Sequence, residues 1–390
     1  MTTSPAPLLQ SLLLPALCAL ITVLAGCASH KAPGTQATVV PVAATTESLE
    51  PDTGSKPIAA PLLVQNSLPS TGPGNYAQRD DTGVLANRLA QEFQLDPTWV
   101  RSMLDQAQFK ENVARFIMPA ASGTAKNWTV YRSRFIDAAR IKAGVAFWRA
   151  YEMDLRRAHA RWGVPASIIV GVIGVETIYG RNTGNFRVLD ALTTLSLDFP
   201  KGRSDRSVFF QKELGEFLKL CDEQKMDPTQ VLGSYAGALG LPQFMPSSIR
   251  QFAVDFDADG HIDLQRSPVD AIGSVARYLS EHGWQRDMPT HYEVTPPKNT
   301  ESLVQLLLPD IVPSFTVSEM QGLGAALPEA GRVHSGLLAL VKLENGDKPP
   351  LYIAGTDNFF SVTRYNQSSY YALAVIQLGQ AVAQASGNPP

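Results

Sequence analysis

The sequence predicts a mostly α-helical fold with a small β subdomain near the C-terminal end. Helical periodicity or helix start and stop signals mark 84–93, 97–107, 130–161, 165–180, 207–224, 267–282 and 368–385. Asp96-Pro97 and Asp227-Pro228 read as cap-plus-proline helix starts. Between about 290 and 363 the pattern changes. Tyr292-Glu293-Val294, 336–343 and 350–354 alternate or carry β-type runs, with Asn345-Gly346 as a turn signal between the last two. At 390 residues, 44% hydrophobic and 18% charged, the chain is long enough for a sizeable core and two or three subdomains. A net charge of −3 gives no electrostatic reason to expect nucleic acid or an anionic membrane surface as partner.

The N-terminus sets the compartment. Residues 8–25 are dominated by Leu, Ala, Ile and Val and end in Leu24-Ala25-Gly26-Cys27. An apolar run with small residues before a cut site reads as a secretory signal. It is interrupted by Pro15 and is short for a span of about 20 apolar residues. The L-A-G-C tetrapeptide resembles the bacterial lipoprotein signal, in which Cys27 would become the lipidated N-terminus. No Lys or Arg precedes the apolar run, a departure from the usual basic start. Ala28 after the cysteine, where Asp would favour retention at the inner membrane, points to the outer membrane, facing the periplasm.

Residues 1–26 thus read as a lipoprotein signal peptide and 27–78 as a lipid-anchored flexible linker. Rich in Ala, Thr, Pro, Ser and Gly, the linker cannot bury enough apolar surface to offset the entropy of ordering it. The folded region is 79–390, with a core of about 155–285 plus 360–390 and a β-containing insertion of about 290–360. Cys18 leaves with the signal and Cys27 carries the lipid, so Cys221 remains alone and no internal disulfide forms. No His/Cys cluster suggests zinc.

Three segments carry chemistry. In 165–184, P-A-S-I-I-V-G-V-I-G-V-E-T-I-Y-G-R-N-T-G, Glu176 falls on the inward stripe with Ile168, Val172 and Val175. An Ile/Val-lined carboxyl has its pKa raised toward neutrality, as general-acid cleavage of a glycosidic bond requires. The alternative is a half-buried Glu satisfied by a cation such as Arg181. In 234–248, S-Y-A-G-A-L-G-L-P-Q-F-M-P-S-S, glycines and prolines around Gln243 make a loop that a ligand can approach closely. Gln243 offers donor and acceptor to sugar hydroxyls, and Tyr235 and Phe244 are candidates to pack on a sugar face. The alternative is a plain turn between helices. In 255–264, D-F-D-A-D-G-H-I-D-L, carboxylates at loop positions 1, 3 and 5 with Gly260 at position 6 match the start of an EF-hand calcium loop. Asp255, Asp257, Asp259 and the His261 carbonyl would be ligands. Arg266 stands at position 12, where an EF-hand has a bidentate Glu, and Asp270 is the nearest acid to close the site. An incomplete loop of this kind reads as a structural clip rather than a sensor.

Together and in this order, the three segments closely resemble the membrane-bound lytic murein transglycosylase B family. The terminal S-V-T-R-Y-N-Q-S-S-Y-Y-A-L-A-V-I-Q-L-G-Q-A-V is similar to that family's closing helix. The resemblance spans about 80–390. It implies a lysozyme-like core with an α subdomain and a small β subdomain, and cleavage of the MurNAc–GlcNAc β-1,4 bond of peptidoglycan glycan strands. Matched by motif, Glu176 is the catalytic acid and base, while Ser234, Gln243, Tyr278, Tyr365, Asn366 and Tyr371 fall at cleft positions. Structural Ca²⁺ is implied at Asp255, Asp257, Asp259, His261 and Asp270, with no cofactor for the chemistry. The stretch before Asp270 is one residue longer than the family loop. The segment 198–206 is also longer, with Arg206 or Arg203 as the peptide-contacting arginine.

Glycosidases ordinarily use two carboxylates flanking the bond. With Glu176 alone, the C6 hydroxyl of the substrate replaces water and closes onto C1 as a 1,6-anhydro ring, in a lyase reaction serving wall turnover. A second acid at Asp190 or Asp198 would favour muramidase hydrolysis. A catalytically silent glycan-binding lipoprotein is the reading from a different class, and an intact Glu176 argues against it. Besides the wall and the membrane, proteins of wall synthesis or division are candidate partners that no motif identifies.

Overall fold

Sixteen α-helices and five short strands occur among the residues that the structure, a computed structural model, describes: 74–118, 126–202 and 204–388. The signal segment, Cys27 and most of the 27–78 stretch lie outside the described residues. The fold is mostly α, as the patterning predicts.

A 3-10 turn at Tyr76–Gln78 precedes α1 (Asp80–Phe93) and α2 (Pro97–Asp105). The folded body therefore begins before residue 79. Tyr76, placed in the linker by composition, is fully buried and donates to Asp198 at 2.7 Å. Asp96 caps α2 as expected, accepting from Trp99 N at 2.7 Å. Asp227-Pro228 opens only a turn, in which Asp227 accepts from Thr229 N at 2.9 Å. A short α3 (Glu111–Phe116) follows α2.

The single helix expected over 130–161 is three: α4 (Trp128–Ser133), α5 (Ala138–Ala150) and α6 (Glu152–Trp162). Asp137 caps α5 through Arg140 N, which needs extended backbone (φ −123°, ψ 161°) where a continuous helix would run. Next come α7 (Ala166–Thr177), β1 (Phe186–Arg187), α8 (Val188–Leu197), α9 (Ser207–Gln224), β2 (Leu232–Gly233), α10 (Pro246–Phe252) and α11 (Pro268–Glu281). Helix α8 escaped the periodicity reading because all but one of its ten residues are buried, leaving no polar stripe. Helix α7 is likewise buried nearly all round rather than along one stripe; of its twelve residues only Ala166 and Glu176 keep appreciable exposure.

The later region holds β3 (His291–Glu293), α12 (Thr300–Leu307), α13 (Val317–Gly322), α14 (Glu329–Arg332), β4 (Ala339–Asn345) and β5 (Lys348–Gly355). The three strands pair antiparallel in the order β3-β5-β4, with the β4–β5 turn at Asn345-Gly346 where the sequence placed it. Three short helices join the strands and surround a separate small core of Leu306, Met320, Leu327, Leu338, Leu340 and Ala354. The chain closes with α15 (Asp357–Thr363) and α16 (Ser369–Ser386).

The site rests on α7 packed against α16. Two glycines bring them together: a Cβ at Gly171 would lie 2.2 Å from the Val375 carbonyl oxygen, and one at Gly379 would lie 2.0 Å from that of Ser167. Cys221 is fully buried on α9.

Candidate active site

Glu176 is the penultimate residue of α7, and its Oε1 accepts a 2.5 Å hydrogen bond from the Tyr371 hydroxyl in the first turn of α16. Burial pushes the Glu176 carboxyl up to about 7, and the Tyr371 hydrogen bond opposes that rise. The residue itself is half-buried, so its carboxyl lies deep among apolar groups while part of the side chain stays accessible. Among the described residues no cation pairs with Glu176; Arg181 does not serve as its counter-ion.

Around the carboxyl the fold gathers the tyrosines. Tyr365 stacks on Tyr371 with centroids 6.3 Å apart and planes at 19°. Tyr278, from α11, lies 4.7 Å from Tyr365 and donates to the Arg364 carbonyl at 2.9 Å. Phe244 sits 5.2 Å from Tyr278 and 5.7 Å from Tyr365, and at 2% exposure it supports the tyrosines rather than offering a face to sugar. The Tyr365 hydroxyl is buried without a hydrogen-bond partner among the described residues, and burial and the nearby Glu176 keep its pKa well above the usual phenol value. Asn366 follows in the turn before α16, its N–H donating to Thr363 O at 3.1 Å.

The glycine- and proline-rich loop is tied to the same helix end. Thr177 Oγ1 donates to Leu241 O at 2.9 Å, and Gln243, in left-handed backbone (φ 51°), donates its amide to Thr183 O at 3.1 Å and Gly240 O at 2.9 Å. The donor half of Gln243 is thus used within the loop, leaving Oε1 as its open acceptor among the described residues. Ser234 Oγ accepts from Ala238 N at 2.9 Å and shapes its own turn. Tyr235 joins Phe116 and Phe186 in an edge-to-face trio at 5.6–6.3 Å.

Other sequence candidates lie apart. The Arg206 guanidinium packs over Phe209 and Phe210 at 4.7 and 5.6 Å, at the start of α9, with no contact to the tyrosines around Glu176 among the described residues. Arg203 lies outside the described residues. Asp190 is buried and paired with Arg187 at 2.5 Å and Lys110 at 3.4 Å. Asp198 accepts both from Arg79 at 2.8 Å and from Tyr76. Neither is free to act beside Glu176.

In the acidic loop, ligand oxygens of Asp255, Asp257 and Asp259 lie within 4.8 Å of one another. Gly260 (φ 93°) makes the sharp turn, and His261 is exposed. Asp270 does not join them. It is 1% exposed, its Oδ1 accepting from Phe256 N at 2.7 Å and its Oδ2 from Asp263 N at 2.8 Å, so it braces the loop from behind.

Sequence reasoning missed Tyr131. Its ring, on α4, lies 5.6 Å from that of Tyr370, and its phenol is close enough to Tyr371 to help raise that group's pKa. Only its place in an aromatic-rich run, Trp128 to Phe135, could have signalled it.

Residues 79–380 match the transglycosylase SLT domain family. The membrane-bound lytic murein transglycosylase B of Escherichia coli is 38% identical over 321 residues, 80% of this chain and 85% of that protein. This chain belongs to the lytic murein transglycosylase B family. Within the family, the Escherichia coli lytic transglycosylase SLT35 in complex with calcium matches with a TM-score of 0.71 at 38% identity, over 81% of this chain and 96% of that one. SltB3 of Pseudomonas aeruginosa, in complex with NAG-anhNAM-pentapeptide, matches with a TM-score of 0.65 at 27% identity, over 79% and 82%. Family membership makes the chain a lytic transglycosylase, an enzyme of the cell wall.

Proposed function

We propose that this enzyme cleaves the MurNAc–GlcNAc β-1,4 bond with a single carboxyl group, Glu176, and leaves 1,6-anhydroMurNAc ends during wall turnover. The observation that carries this reading is a carboxyl raised to about 7, held by Tyr371, with Asp190 and Asp198 consumed elsewhere by cations. Protonated Glu176 donates to the glycosidic oxygen as the C1–O bond breaks, and the N-acetyl group of the MurNAc stabilises the positive charge at C1. The carboxylate so formed takes the proton of the C6 hydroxyl as its oxygen bonds to C1. Glu176 ends protonated, and no water is consumed. Tyr371, fully buried, holds the Glu176 carboxyl, the buried Tyr365 and Tyr278 back it, and the half-buried Ser234, Gln243 and Asn366 position the glycan in the cleft. Arg206 or Arg203 meets the stem peptide. The complex of SltB3 with an anhydro-muropeptide supports the same product here. Mass spectrometry of muropeptides released from sacculi tests it: chain ends should be lighter than reducing MurNAc by one water.

The trio Asp255, Asp257 and Asp259, with the His261 carbonyl, fits a hard oxygen-binding cation, and SLT35 is known with calcium. Bound Ca²⁺ would supply charge neutralisation and loop rigidity, not chemistry. Millimolar Ca²⁺ is expected to raise the melting temperature by several degrees through linkage while leaving turnover on folded enzyme unchanged. Asp257→Ala should abolish the shift; a shift that survives it places the ion elsewhere.

The relative's description as membrane-bound supports a membrane anchor, which the sequence places at Cys27 with Ala28 after it favouring the outer membrane.

A further inference from the structure

Directly after Glu176 and Thr177 the backbone does something β-branched and aromatic residues rarely do. Ile178 (φ 51°), Tyr179 (φ 59°) and Gly180 (φ 85°) are three successive residues in left-handed conformation. Outliers of this kind persist only where the surroundings over-determine them. The turn is closed by Ile178 N to Gly174 O at 3.2 Å, Tyr179 N to Ile173 O at 3.3 Å and Asn182 N to Thr177 O at 2.9 Å.

What fixes the turn from outside is the Tyr179 side chain. Its ring reaches back over α7 into a slot cut by two glycines on different helices. A Cβ at Gly144 of α5 would lie 2.4 Å from the Tyr179 hydroxyl oxygen, and one at Gly174 of α7 would lie 2.5 Å from it and 2.7 Å from Cζ. Phe147, on α5, packs against the ring at 5.3 Å. The hydroxyl itself is buried with no hydrogen-bond partner among the described residues, so shape rather than hydrogen bonding holds it.

We propose that Tyr179 is a positioning residue for Glu176: its ring, wedged between Gly144 and Gly174, locks the strained turn that aims the last residues of α7 into the cleft. This rests on Glu176 as the acid. The lock matters because Glu176 sits one residue from the helix end, where fraying would let the carboxyl rotate away from Tyr371 and toward solvent. The groups facing the carboxyl are phenols: Tyr371 on α16, Tyr365 before it and Tyr278 on α11.

Tyr179→Ala empties the wedge, and Gly144→Ala pushes the ring out from the opposite side. Each is expected to lower kcat about 10²-fold, the cost of a misplacement of about one ångström, with KM within about threefold. The basic limb of the kcat–pH profile, which reports loss of the Glu176 proton, should move to lower pH as the carboxyl gains water. The conservative Tyr179→Phe keeps the wedge and should restore kcat to within about twofold. Tyr179→Leu, an aliphatic filler that folds more readily than Ala, should show the same limb shift as Ala. A kcat that falls only in proportion to the folded fraction, with the limb unmoved in Tyr179→Leu and Gly144→Ala, overturns the proposal. Turnover surviving in Glu176→Gln would instead refute the acid assignment, so the two failures are distinguishable.

Discussion

Glu176→Gln is expected to reduce turnover of sacculi by roughly 10³-fold or more while leaving glycan binding intact. Glutamine keeps the volume and the acceptor for Tyr371 but has no proton to transfer. The pH behaviour follows from the same group. With its carboxyl raised to about 7, Glu176 holds the proton that the proposed acid step needs below that value, and wild-type kcat should fall as pH rises through it. Stability moves with it. The folded chain holds the Glu176 proton more tightly than the unfolded chain, where the group titrates near its ordinary 4.5. Its favourable contribution is therefore complete below about 4.5 and is lost as pH rises through about 7. The uncharged Gln escapes that loss, so the variant should melt higher than wild type at pH 8 and equally at pH 4. Retention of more than a few per cent of turnover in the purified variant would refute the assignment.

Gly171→Ala and Gly379→Ala should each cost about 3 kcal/mol of folding stability, the upper end for overpacking. In both cases the added methyl meets a backbone carbonyl of the facing helix, at 2.2 and 2.0 Å, and no side chain can rotate away to relieve it. Helices α7 and α16 must separate, and they carry the two ends of the Glu176–Tyr371 hydrogen bond, so activity should fall in the fraction that still folds. Gly322→Ala is the control, since a Cβ there meets nothing within 4 Å; its denaturation midpoint should stay level or rise slightly. Equal midpoints for all three variants would mean that the helices are not in van der Waals contact at these glycines.

The parts of the fold legible in the sequence are those with local signals. Asp96-Pro97 starts α2, and Asn345-Gly346 turns the β4–β5 hairpin, because capping and turn chemistry act within a few residues. Periodicity failed where burial is complete. Helices α7 and α8 have no solvent face, so the stripe read for Ile168, Val172, Val175 and Glu176 is one part of an almost wholly buried cylinder. It failed again at Asp137, whose capping bond separates α4 from α5 within one long pattern. In the site, the identity of Glu176 is written in its apolar context, but its hydrogen bond to Tyr371 spans 195 positions of sequence and depends on how α16 returns to α7. Asp270 is a different case: acid type and position suggest a metal ligand, and the hydrogen bonds its buried carboxylate accepts from the amides of Phe256 and Asp263 are contacts that spacing cannot reveal.

Digestion of sacculi in ¹⁸O-water tests the single-carboxyl chemistry most directly. In the proposed reaction the C6 hydroxyl rather than water closes onto C1, beside a carboxyl that burial raises to about 7, so the new ends would be anhydro rings. The released MurNAc ends should carry no ¹⁸O and be lighter by one water than reducing ends. Label incorporated at those ends would show that water attacks C1 and that the enzyme is a hydrolytic muramidase.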